Sequence, residues 1–246
     1  MAKDKTVYVC SNCGQESAKW IGKCPSCGQW NTFKELRVSA DTGSLAARNA
    51  AVDIHRAMSH SGAKPMFLKD ISSQDEPRID MHDNELNRVL GGGLVRGSIV
   101  LLGGEPGIGK STLTLQTVLN MPDRRILYVS GEESAHQLKM RAMRINPDAA
   151  DNVMILCETS LEDIFKHITE VKPEFVVIDS IQTISTADVD SSPGSVTQVR
   201  ECASALLRFA KTSGVPVLLI GHINKEGTIA GPKILEHIVD TVIQFE

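Results

Sequence analysis

Short apolar runs separated by stretches of helical spacing organise most of this chain. The runs at 99–102, 126–129, 153–156, 175–178, 217–220 and 239–245 are rich in Val, Ile and Leu and are the strand candidates. Helical spacing marks 135–144, 161–171 and 195–213, and Ser160-x-x-Asp163 has the form of a capping box opening the second of these. Leu86, Val89 and Leu90 also fall at helical spacing, in a segment halted by Gly91, Gly92 and Gly93. Strand and helix alternate without an internal repeat, which predicts an α/β fold around a mostly parallel sheet.

The pattern fades toward the N-terminus. Residues 38–64 are dominated by Ser, Ala, Asp, Asn and Gly and read as a flexible linker, with room for a short helix at 49–58. The 246 residues thus divide into a small module at 1–37, the linker at 38–64 and a large domain at 65–246. No apolar run approaches the ~20 residues that span a membrane. Residues 1–5 lack the apolar core of a signal peptide, so a cytoplasmic protein with no membrane partner is expected. The formal charge of −4 gives no general attraction to nucleic acid, and any such binding must come from local surfaces.

Candidate chemistry gathers where strands end. The run at 99–102 leads into Gly104, Glu105, Pro106, Gly107, Ile108, Gly109, Lys110, Ser111 and Thr112, a G-x-x-x-x-G-K-S phosphate-binding loop continuing as a helix. Its glycines let successive backbone N–H groups turn toward one anion, Lys110 adds a mobile positive charge, and Ser111 completes the shell of a Mg²⁺ ion. The helix that follows points its positive end at the same phosphates. Four apolar residues at 175–178 then present Asp179, the Walker B arrangement, whose carboxylate serves Mg²⁺ or its waters, with Ser180 beside it.

A further strand end carries Glu132 and Glu133. Either suits the orientation of an attacking water, while the bland reading places both at the positive start of the next helix. His222 closes the run at 217–220 and fits either a γ-phosphate sensor or a hydrogen-bonded structural histidine. Loops at 183–195 and 224–233, the second bearing Lys225 and Lys233, fit a grip on a nucleic-acid strand or plain solvated connections.

Cys10, Cys13, Cys24 and Cys27 make C-x₂-C-x₁₀-C-x₂-C, a spacing suited to one tetrahedral zinc, with Gly14 and Gly28 permitting each knuckle to turn. Paired C-x₂-C units in a chain expected in the cytoplasm argue against disulfides. Two roles for the module stand side by side. In one, zinc replaces a hydrophobic interior and Trp20, Trp30 and Phe33 pack around it; in the other, those rings form a stacking surface for unpaired bases. Six basic residues against three acidic ones in 1–37 give +3. Four thiolates around Zn²⁺ bring that to about +1.

Taken together, Trp20-Ile-Gly-Lys-Cys-Pro-x-Cys-Gly-x-Trp-Asn-Thr32, Arg88-Val-Leu-Gly-Gly-Gly-Leu94, the phosphate loop, Val129-Ser-Gly-Glu-Glu-Ser134 and Lys225-Glu-Gly-x-Ile-Ala-Gly-Pro232 resemble the bacterial RadA family, also called Sms. The resemblance spans nearly the whole chain. It implies a RecA-like ATPase core using ATP, Mg²⁺ and Zn²⁺, hexameric rings on single-stranded DNA, and branch migration of recombination intermediates beside the RecA recombinase. By the same resemblance Lys110, Ser111 and Asp179 handle nucleotide and metal, Glu132 activates water, and His222 and Lys225 couple nucleotide to DNA. Asn224 stands where the family usually has Thr. A Lys-Asn-Arg-Phe-Gly motif and a Lon-protease-like domain are expected beyond Glu246, so the chain reads as a partial one. The alternatives to a DNA-dependent ATPase motor are a P-loop kinase of a small substrate and an ATP-gated DNA-binding adaptor.

Overall fold

The computed structural model describes residues 5–10, 16–17, 19–25, 28–38, 67–70, 78–147, 151–222 and 235–246. The chain divides into two units between His60 and Ser61. The linker expected at 38–64 and its short helix at 49–58 lie, apart from Val38, outside the described residues.

Among its described residues the smaller unit holds three strands, β1 (Lys5–Cys10), β2 (Glu16–Ser17) and β3 (Phe33–Val38). They form an antiparallel sheet in the order β2-β1-β3, with Cys10 opposite Phe33. Cys24 and Phe33 are buried here, with Tyr8 packed against them. Trp20 and Trp30 stay 53% and 68% exposed, so of the two readings of the rings the packed one fits Phe33 and not the tryptophans.

The larger unit is built on six strands, β4 (Ile99–Gly104), β5 (Ile126–Ser130), β6 (Val153–Cys157), β7 (Phe175–Asp179), β8 (Val217–His222) and β9 (Thr241–Phe245). They pair in parallel in the order β6-β5-β7-β8-β4-β9. Among the described residues five α-helices accompany them: α1 (Asn84–Val89), α2 (Lys110–Leu119), α3 (Ala135–Ile145), α4 (Leu161–Val171) and α5 (Val196–Ser213). All of β4, β5 and β7 is buried because side chains alternate between two covered faces. Leu101, Val129, Ile178 and Leu219 meet α4 and α5 on one face, while Val100, Leu102, Tyr128, Val177 and Ile220 meet α1, α2 and α3 on the other. The outer strands β6 and β9 are only partly buried, as edges must be.

Local signals explain where the helices begin. Asp83 and Ser195 each accept a backbone N–H of the helix that follows, and α5 stops at Gly214, which adopts a left-handed conformation. Ser160 caps α4 by accepting the N–H of Asp163, but the reciprocal arm of the expected capping box is missing: the Ser160 N–H donates to Glu158 instead, at 2.9 Å. A full capping box opens α3, where Ser134 and Gln137 satisfy each other's backbone N–H groups. The last strand starts at Thr241, two residues later than the pattern suggested. Asp240 is occupied with joining elements, its carboxylate accepting from Ile99 N and from Lys211 Nζ.

Candidate functional site

Because all six strands run parallel, their C-terminal ends deliver Gly104, Ser130, Cys157, Asp179, His222 and Phe245 to one edge of the sheet. Gly104 lies beside His222, and Ser130 beside Asp179. The sheet order therefore brings together groups far apart in sequence.

The loop from Gly104 to Gly109 enters α2 through Gly109, whose φ of 116° is a conformation that side chains disfavour. No side chain caps this helix, so its first-turn N–H groups face outward for an anion. Lys110, buried, folds back over the loop and donates to the carbonyls of Gly104 at 2.8 Å and Glu105 at 2.9 Å. Burial lowers its pKa, an effect opposed by the nearby carboxylates of Asp179 and Glu132. Such a cradle fits the phosphates of a nucleotide.

Asp179, 3% exposed, accepts the Tyr128 hydroxyl at 2.6 Å and also bonds the Ser111 side chain. Burial raises its pKa, against the pull of those two hydroxyls. A carboxylate so buried, beside Ser111, suits a hard divalent cation with oxygen ligands. The fully buried Tyr128 phenol escaped the sequence reading, although a phenol inside an otherwise apolar strand needs a polar partner.

Glu132 and Glu133 separate. The first turns into the site: its Oε1 accepts the Ser180 hydroxyl at 2.5 Å and lies 3.0 Å from His222 Nε2. Burial works against its charged form, but Ser180, His222 and Lys110 outweigh that and hold the carboxyl below its usual range. Glu133 turns away and pairs with Arg141 of α3 at 2.8 Å. His222 bridges the cluster, with Nδ1 3.4 Å from Lys110 Nζ. The neutral tautomer carrying hydrogen on Nε2 satisfies both neighbours. Ser180, next to Asp179 in sequence, donates to Glu132.

The loop at 183–195 is pinned. Buried Gln198 exchanges hydrogen bonds with Thr186 and donates to the carbonyls of Val189 and Ser191, while Glu162 accepts from Thr186 and Ala187. Lys225 and Lys233 lie outside the described residues. In the smaller unit Cys10 ends β1 and Cys24 is buried in a turn where Gly28 N–H donates to the Cys24 carbonyl; Gly28 has a φ of 73°. Cys13 and Cys27 are outside the described residues. A buried cysteine in so tight a turn fits a thiolate-bound zinc. Among the described residues no helix is long and apolar enough to cross a membrane.

These features define an ATP-binding α/β core of the RecA-like class carrying an N-terminal zinc ribbon. Family models agree: an AAA domain matches residues 65–228, and a rubredoxin metal-binding domain matches residues 8–35. The chain is 48% identical to DNA repair protein RadA of Bacillus subtilis (strain 168), over 100% of its own length and 53% of that relative. Identity is 49% to the protein of that name from Halalkalibacterium halodurans, with 100% and 52% covered, and 47% to that of Pseudomonas aeruginosa, with 100% and 52% covered. The chain belongs to the RadA family of DNA repair proteins. It spans about half the length of the curated relatives it matches. ATP, Mg²⁺ and Zn²⁺ are its cofactors.

Proposed function

We propose that this chain works as a DNA-dependent ATPase in recombinational DNA repair, binding single-stranded and branched DNA and driving branch migration as a hexameric ring beside the RecA recombinase. The observation that carries the reading is the cluster of Lys110, His222, Glu132, Ser180 and Asp179 at four adjoining strand ends. Kinship with DNA repair proteins supplies the DNA.

In this reading the residues divide the work. The loop from Gly104 to Thr112 holds the phosphates through its backbone N–H groups, and Lys110 exchanges its carbonyl partners for phosphate oxygens. Ser111 and Asp179 hold Mg²⁺, which when bound neutralises charge developing on the phosphates. Glu132, ionised, accepts a proton from the attacking water and orients it; Glu133 is committed to Arg141. His222 touches both Lys110 and Glu132, so a change of phosphate state at the loop reaches the segment that follows β8, where Lys225 and Lys233 meet DNA. This coupling separates a motor from a simple nucleotide-binding protein.

Phosphate release from ATP, measured with and without oligo-dT, tests the reading. Hydrolysis stimulated by the oligonucleotide and abolished by Lys110→Ala is expected. Phosphate transfer to an added small acceptor would make the chain a kinase, and nucleotide-dependent DNA binding with no hydrolysis would make it an adaptor.

A further inference from the structure

The two tryptophans stand on one cationic surface of the smaller unit. Trp20 and Trp30 are 53% and 68% exposed, although they are the largest apolar side chains among the described residues of this unit. Both rings border Gly22: a Cβ placed there would lie 3.7 Å from Trp20 and 3.9 Å from Trp30. With hydrogen in that position no side chain stands between them. Lys23 and Trp30 face each other across an antiparallel bridge, flanked by Asn31 N–H donating to Gly22 O at 2.7 Å and Cys24 N–H donating to Gln29 O at 2.9 Å. This register sets the Lys23 ammonium 5.6 Å from the Trp30 ring centroid.

Charge selects among occupants for such a surface. Between Glu16 and Glu35 the sequence carries Lys19, Lys23 and Lys34 and no acidic residue. Lys23 is exposed beside the Trp30 ring, and Lys19, also exposed, precedes Trp20 in the chain. Two accessible indoles with lysines next to them match a chain of flat bases joined by phosphates, since a base offers a π-face and each phosphate a negative charge at short intervals. A folded duplex hides its base faces. A purely apolar protein partner leaves the lysines without anions.

We infer that Trp20 and Trp30 form a base-stacking site for single-stranded nucleic acid, with Lys23 and Lys19 meeting the adjoining phosphates. The site reads no sequence, because stacking accepts every base. It rests on the DNA partner proposed above but not on ATP hydrolysis, and it makes the zinc ribbon a second point of attachment to the strand besides the ATPase core.

The chain has two tryptophans in all, so its intrinsic tryptophan fluorescence reports on this surface. Titrating the zinc-loaded chain with oligo-dT should quench that emission, and an abasic oligonucleotide of equal length should not. By fluorescence anisotropy of labelled oligo-dT, Trp20→Ala and Trp30→Ala should each weaken binding about tenfold, and Trp30→Phe should restore most of it. Oligo-dT bound with full affinity by the alanine variants, with no quenching in the parent, would overturn the stacking site and leave the DNA partner standing. Emission that answers to a protein but not to oligo-dT would also overturn it. No binding of oligo-dT by any form would overturn the DNA partner as well.

Discussion

The two units reach their structures by opposite routes. In the larger one, β4, β5 and β7 are buried along their whole length, and the sheet is covered by helices on both faces. Apolar burial of about 25 cal/mol per Å² stabilises it without help. In the smaller one, the buried hydrophobic set among the described residues is Cys24 and Phe33, with Tyr8 beside them. Metal must supply there what hydrophobic area cannot. The same contrast governs chemistry. A rigid sheet edge positions a cluster rooted in buried Lys110, Asp179 and Ser180 to within hydrogen-bonding distances, whereas the zinc ribbon presents rings outward, where precise geometry matters less than access.

The contrast breaks most visibly on zinc removal. Structural zinc contributes about 10–16 kcal/mol of folding free energy in small modules. Chelation should therefore abolish hydrogen-exchange protection of β1, β2 and β3 and leave protection of β4, β5 and β7 intact. Loss of protection in both units together would refute independent stabilisation.

Phe175→Ala addresses the other side. Phe175 is fully buried, and its truncation should cost the larger unit about 3–5 kcal/mol in denaturant unfolding. Exchange in β1 and β3 should not change.

Tyr128→Phe removes one hydroxyl from the same core and leaves the buried Asp179 carboxylate short of a donor. A cost of about 1.5–3 kcal/mol is expected, together with a changed Mg²⁺ dependence of nucleotide binding. An unchanged stability would show that the bond is incidental.

The smallest effect runs in the opposite direction. Burial raises the pKa of Asp179 above its unfolded value, so its contribution to stability is fully present below the unfolded pKa and is lost as pH rises through the folded one. Asp179→Asn should consequently raise the thermal midpoint at neutral pH and change little in acid, while impairing Mg²⁺-dependent nucleotide binding. A lower midpoint at neutral pH would contradict this sign.

Much of the larger unit was legible because its information is local. Apolar runs marked all six strands, and Gly91 and the phosphate loop punctuated the helices. The order of the strands was not legible, since it depends on pairings such as that of Gly104 with both His222 and Phe245. The choice between Glu132 and Glu133 was closed for the same reason: adjacent identical side chains are told apart only by Arg141 on one side and Ser180 with His222 on the other. The capping box of α3, built by Ser134 and Gln137, also went unread. The exposure of Trp20 and Trp30 was undetermined because an aromatic residue in a small ribbon fits core and surface patterns equally well.

Single-turnover ATP hydrolysis by Glu132→Gln and Glu133→Gln, with nucleotide binding measured in parallel, goes straight to the edge cluster. Glu132→Gln should bind nucleotide and hydrolyse it about 10²–10⁴-fold more slowly, while Glu133→Gln stays near the parent rate. Equal rates for Glu132→Gln and the parent, or loss of hydrolysis in Glu133→Gln instead, would contradict the assignment of Glu132 as the group that activates water.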